Sequence, residues 1–147
     1  MGPWLNAAAL PKTAALFAAV QEDFRIVNRT SKALWSRRRP SFVDPRLQPC
    51  VEFSDTPAYP SGHGIQSALW SALLGELMPE HAAGFQQRAA ETRRYKLLSG
   101  VHYPSDLTAG QTVGEALARA MLRSPKLRAE REAVRAELAL YLQKRAA

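Results

Sequence analysis

The 147-residue chain has one cysteine, three histidines and no alternating apolar–polar runs of the kind that make strands. With Cys50 alone, no intrachain disulfide can form and the chain gives no signal of redox compartment. Neither Cys50 nor the histidines show zinc-ligand spacing, so no metal site is expected and Cys50 reads as a structural residue. Long hydrophobic runs are absent too. The longest, Ile65 to Met78, is interrupted by Gln66, Ser67, Ser71 and Glu76 and is too short to span a bilayer. Met1 to Leu10 lacks the basic start and sustained apolar run of a secretory leader. Asn6 breaks the N-myristoylation pattern. These absences predict a cytoplasmic protein if the sequence is complete.

Aromatic residues make up only 8% of the chain and do not interleave with basic ones, which argues against a nucleic-acid reader. The net charge of +7 still favours anionic partners, whether phosphorylated small molecules, nucleic acid or lipid head groups. At 46% hydrophobic and 22% charged, residues 1–147 read as one soluble domain with a real core.

What is present is helix after helix. Met1 to Leu10 reads as a short helix or loose arm. Pro11 suits the first position of a new helix. Leu16, Phe17, Val20, Phe24 and Val27 give it an apolar stripe, and the pattern extends to about Arg38, where Pro40 stops it. Residues 41–60 carry Pro45, Pro49, Pro57 and Pro60 and little periodicity, a loop long enough to suggest function. Ile65 to Met78 is apolar nearly all round and should be central. Glu80 to Leu98 should turn Phe85, Ala89, Tyr95 and Leu98 inward. A helix from Tyr103 or Pro104 should bury Leu107, Val113, Leu117 and Met121. The last, Pro125 to Lys144, should bury Leu127, Val134, Leu138, Tyr141 and Leu142, leaving Arg128, Arg131, Glu132 and Arg135 as a solvated face. The expected fold is all-α, a bundle of five to six helices with a site at helix ends and a long Pro-rich loop.

Three stretches stand out chemically. In Tyr59-Pro60-Ser61-Gly62-His63-Gly64, Ser61 is a good N-cap, Gly62 leaves its backbone N–H bare, and His63 opens the helix, which together make an anion site. In Lys32 to Pro40, Lys32 and Arg39 are seven residues apart and can project from one helical face. In Lys96 to Asp106, His102 and Asp106 are four apart, so the carboxylate can accept from the imidazole. Each alone is weak, because helix caps and basic helix ends are common.

In this order and separation the three resemble the signature of the type 2 phosphatidic acid phosphatase superfamily, and within it the class A bacterial non-specific acid phosphatases. The resemblance rests on Lys32 to Pro40, Tyr59 to Gly64, Ser99 to Asp106, Ala109-Gly110 and Leu10-Pro11, and it covers about Leu10 to Met121. Two features depart from the family pattern. Lys96 stands where the family has arginine, with Tyr95 in place of a serine and Arg93 and Arg94 close by at the wrong spacing. Helices usual ahead of the first motif have no counterpart, so a partner subunit supplies that part of the core or it is missing.

The resemblance implies a metal-independent acid phosphatase acting on phosphorylated small molecules, without nucleic acid or cofactor, with phosphate or vanadate fitting the site. Lys32, Arg39, Ser61, Gly62 and Lys96 would bind the phosphoryl oxygens. His102 would be the nucleophile, Asp106 its partner and His63 the proton donor to the leaving group. By resemblance the location would be periplasmic, and a homo-oligomer stays open. His81 receives no role. A non-catalytic phosphate-ester binder, a vanadate-dependent haloperoxidase and a nucleic-acid binder remain as alternatives.

Overall fold

Proline sets where the helices begin. The computed structural model describes residues 7–53 and 55–146 and contains six α-helices and no strand among them. They are α1 (Pro11–Ala33), α2 (Pro40–Val43), α3 (Gly62–Leu77), α4 (Ala82–Leu98), α5 (Pro104–Arg123) and α6 (Pro125–Ala146), with a single 3-10 turn at Pro79–His81. Four of the six start on a proline, whose fixed φ and missing N–H cost nothing at a first helical position. The all-α expectation holds. The element expected at Met1 to Leu10 lies largely outside the described residues.

α3 is the axis. Ile65, Leu69, Leu73, Leu74 and Leu77 are buried along it, and α1, α4, α5 and α6 pack around it. α5 lies closest, and glycine makes this possible. A Cβ on Gly110 would fall 2.5 Å from the Ser61 carbonyl oxygen, and one on Gly114 would fall 2.2 Å from that of Ile65. Both are backbone atoms that cannot move aside, so the α3–α5 approach requires glycine at these two positions. This contact brings the first turns of α3 and α5 together, where Ser61 N–H donates to the Asp106 carbonyl at 2.9 Å.

At the opposite end of the bundle, α6 fastens α1 and α3. The first turn of α1 has no cap from its own Leu10. Glu137 of α6 supplies one: its carboxylate accepts from Lys12 N–H (3.0 Å), Thr13 N–H (2.8 Å) and the Thr13 hydroxyl (2.7 Å). Those hydrogen bonds outweigh the upward push of desolvation and hold the Glu137 carboxyl below its ordinary pKa. Arg131 pairs with Glu76 at 2.6 Å, and Arg135 donates to the Glu76 carbonyl near the C-terminus of α3. The charged run on α6 is therefore not simply a solvated face; two of its four members tie down α3.

Several expectations are corrected. α1 ends at Ala33 rather than Arg38, because the chain straightens toward Pro40 and leaves Arg39 extended (φ −68°, ψ 154°). On α4 only Ala89 is buried, whereas Tyr95 and Leu98 are 55% and 68% exposed. At about 100° per residue, Leu98 sits half a turn round from Ala89, so both cannot face α3. Cys50 is exposed in the loop and is no part of the core. No helix among the described residues is long and apolar enough to cross a membrane.

Candidate active site

The site forms where the end of α1, the segment before α2 and the first turns of α3 and α5 converge. Lys32, on the last turn of α1, is 9% exposed. Its ammonium donates to the carbonyls of Pro57 and Pro60, the latter at 3.0 Å, which pins the Pro-rich loop and leaves one of its three N–H groups for another acceptor. Burial, and then the neighbouring Arg39 charge, lower its pKa to about 8. Lys32 and Arg39 do not share a helical face, since α1 has already ended. Arg39 arrives on the extended segment instead and is 5% exposed, with its guanidinium 5.4 Å from the Phe53 ring centre. It donates to the Val101 carbonyl at 3.0 Å and lies 3.3 Å from both Thr56 Oγ1 and His102 Nε2.

Arginine is always a donor, so the Arg39 contact makes His102 Nε2 the acceptor nitrogen of the ring. The proton then sits on Nδ1, which faces Asp106 Oδ2 at 3.3 Å. Pro104 starts α5 just after His102, so the i,i+4 pair spans the helix entry and both groups are buried. Burial lowers the His102 pKa against the raising effect of Asp106. For Asp106, burial pushes upward, but hydrogen bonds from His102 and the Tyr103 N–H (2.9 Å), with the Arg37 charge, hold it below the ordinary carboxylate range. The pair is therefore a neutral imidazole beside a carboxylate at neutral pH.

Arg37 did not stand out in the sequence. Its guanidinium donates to Asp106 Oδ1 at 3.0 Å and to Ser105 Oγ at 2.7 Å, and lies 4.3 Å over the Tyr103 ring. Oδ2 of Asp106 thus faces His102 while Oδ1 is held by Arg37. A signal was present in Arg37-Arg38-Arg39: before a proline the chain is extended, and alternate residues of an extended chain face one side.

Ser61 is fully buried as the N-cap of α3. Its hydroxyl oxygen accepts from Gly64 N–H at 3.3 Å, which leaves its proton to donate elsewhere. Gly62 follows in the first turn, where backbone N–H groups have no helical partner. His63 is exposed to solvent, though its ring is partly covered by the site. Partial desolvation, then the charges of Lys96, His102, Arg39 and Lys32, push its pKa down to about 4. Lys96, half-buried on the last turn of α4, thus sits where its charge reaches His63. Arg94 is exposed, and Arg93 lines a separate groove with Ser71, Gln86 and Glu115. His81 is exposed beside Glu80. Lys32, Arg37 and Arg39 therefore gather about Asp106, Asp55 also acts on Arg39, and Lys96 adds its charge beside His63.

The profile described as the PAP2 superfamily matches residues 13–130. The chain is 31% identical over 140 residues to an acid phosphatase of Zymomonas mobilis, an alignment covering 91% of this chain and 52% of that protein. It is 37% identical over 57 residues to non-specific acid phosphatases of Salmonella typhi and Salmonella typhimurium, covering 39% of this chain and 23% of each. The chain spans about half the length of the Zymomonas relative. The family match runs from the first turn of α1 into α6 and so takes in the whole cationic cluster: this chain belongs to the PAP2 superfamily.

Proposed function

We propose that the protein is a phosphomonoester hydrolase that works through a phosphohistidine on His102. The observation that carries this reading is the orientation of His102: Nδ1 is engaged by Asp106 and Nε2 faces the Arg39 guanidinium. An anion drawn to Arg39 would meet the ring's lone pair.

A phosphomonoester dianion would replace the missing negative charge among Lys32, Arg39 and Lys96, with the Ser61 hydroxyl and Gly62 N–H as further donors. Nε2 of His102 attacks phosphorus in line, the N–P bond forms and the P–O bond to the alcohol breaks. Asp106 stabilises the imidazolium that develops. His63 gives its proton to the departing alkoxide, then takes one from the water that cleaves the N–P bond and releases phosphate. The cations do the work that a divalent metal does in other phosphoryl-transfer sites, so no cofactor enters the steps. The bound dianion offsets the charges that depress His63, which raises its pKa when a proton donor is needed.

The test is hydrolysis of an aryl phosphate in EDTA, with the reaction quenched mid-turnover. Activity should survive, an acid-labile, base-stable phosphate should be trapped on the protein, and vanadate should inhibit more tightly than phosphate because it mimics the five-coordinate transition state. Binding without turnover, or loss on chelation restored by magnesium or zinc, overturns the reading.

A further inference from the structure

His63 belongs to two places at once. One edge meets the cationic cluster, and the residue also lines a groove of about 350 Å³ between α3 and α4. The groove follows one face of α3 from His63 past Trp70 to Leu74, a rise of about 16 Å along the helix. Its other wall is α4, where Phe85 and Ala89 lie opposite. Thr92 is one turn before Lys96 on the same helix, so the groove opens at the point where Lys96 and His63 meet.

The chemistry of the walls is selective. Two hydroxyls along the groove have their donors committed within the protein, and Gln66 has one of its two amide N–H groups engaged. Ser67 Oγ donates to the Gly64 carbonyl at 3.2 Å, Thr92 Oγ1 to the Arg88 carbonyl at 2.9 Å, and the Gln66 amide to Gln21 Oε1 at 3.1 Å. Arg88, at the groove's edge, is paired with Glu91 at 3.3 Å, which offsets its charge. A hydroxyl-rich guest would lose its water against walls that are mostly apolar, with the Ser71 hydroxyl, the second Gln66 N–H and Arg88 as their polar points. Trp70 and Phe85 offer aromatic surface, and Trp70 is braced by Phe17 with ring centres 4.7 Å apart.

We propose that this groove holds the alcohol half of the phosphoester and selects a neutral aromatic group there. The inference rests on the phosphatase reading, because it takes His63 as the proton donor: the oxygen that His63 protonates carries the departing group, which then lies along the groove that His63 opens. Aryl phosphates should therefore be better substrates than phosphates of small polyols, by more than their better leaving groups explain.

The experiment separates binding from chemistry. Affinities of the wild-type protein for 1-naphthylmethylphosphonate and methylphosphonate, which share a head group and cannot be hydrolysed, are compared by calorimetry. The naphthyl compound should bind at least tenfold more tightly, and Thr92→Trp, which fills the groove from α4, should remove that advantage. Ser67→Trp fills it from α3 and should do the same should Thr92→Trp fail to fold. In turnover, the ratio of kcat/KM for 1-naphthyl phosphate to that for glycerol 2-phosphate should fall at least tenfold in the filled variant. Equal affinity of the wild type for the two phosphonates overturns the groove assignment, as does a naphthyl preference that survives filling from both walls. A tenfold naphthyl preference in binding, with no ester hydrolysed, retains the groove and rejects the catalytic reading instead.

Discussion

The two ends of α3 handle charge in opposite ways. Near Leu77, charges are matched: Glu76 meets Arg131 and Arg135, and nearby Glu137 closes the first turn of α1. Near Gly62 the cations outnumber the carboxylates: Lys32, Arg37 and Arg39 act on Asp106, Asp55 acts on Arg39 as well, and the Lys96 charge reaches His63. Crowded cations destabilise a fold and hold their protons less tightly: burial and mutual repulsion bring Lys32 down to about 8 and His63 to about 4. The difference separates a fastening from a site. A fastening contains its own counter-charge, whereas a site leaves room for one to arrive.

The largest expected effect lies at the unmatched end. His102→Ala should lower kcat by several decades, as loss of a nucleophile does, while circular dichroism shows the fold intact. A near-wild-type rate on folded protein would remove His102 from the chemistry.

Arg37→Ala comes next. It strips one charge-assisted hydrogen bond from Asp106 Oδ1, worth about tenfold to a hundredfold in kcat, and Arg37→Lys should recover part of it. With Arg37 gone, the Asp106 pKa should rise, so the low-pH limb of kcat should move upward. An unshifted limb would make Arg37 a packing residue only.

Lys96→Arg sharpens the comparison within the site. Arginine presents a planar fork where lysine has a single ammonium, so orientation of the phosphoryl oxygens should improve and kcat should rise about tenfold with little change in KM. Steady-state kinetics on Lys96→Arg, Lys96→Ala and Arg94→Ala decide it. If Lys96→Ala matched wild type while Arg94→Ala were inactive, Arg94 rather than Lys96 would be the phosphate ligand.

At the matched end the pattern reverses. Glu137→Ala removes the cap on α1 and should cost about 1 kcal/mol of unfolding free energy with kcat unchanged. A fall in kcat without loss of stability would contradict the division between the two ends.

The smallest effect is a pH shift. His63 must be protonated to act as a donor, so activity should fall as pH rises through its pKa. kcat/KM reports the free protein, where that pKa is about 4; kcat reports the complex, where the dianion raises it. The falling limb of kcat should therefore lie at higher pH than that of kcat/KM. The same depression makes the His63 contribution to stability fully present above 6.5 and lost as pH falls toward 4. Saturating vanadate should flatten this slope, measurable as Tm against pH.

The sequence by itself determined the helices, because proline and apolar periodicity are local. Pro11, Pro104 and Pro125 start helices where their fixed φ says they should, and the Ile65 to Leu77 run, apolar on every side, is the axis. It also marked Lys32, Arg39, Ser61, Gly62, His63, Lys96, His102 and Asp106, since a short motif keeps its spacing whatever packs around it. It misplaced what depends on partners. Lys32 and Arg39 read as neighbours on a helix that in fact stops between them, Tyr95 and Leu98 read as core on a helix with one narrow buried face, and Arg131 and Arg135 read as solvated although Glu76 waits 55 and 59 residues away. Only the tertiary structure brought Arg37 onto Asp106, Glu137 onto α1 and α4 alongside α3 to leave a groove beside His63. Periodicity records which way a side chain leaves its own helix. What it meets is set by the distance between helix axes, and here that distance depends on two glycines in α5 that let α3 come close.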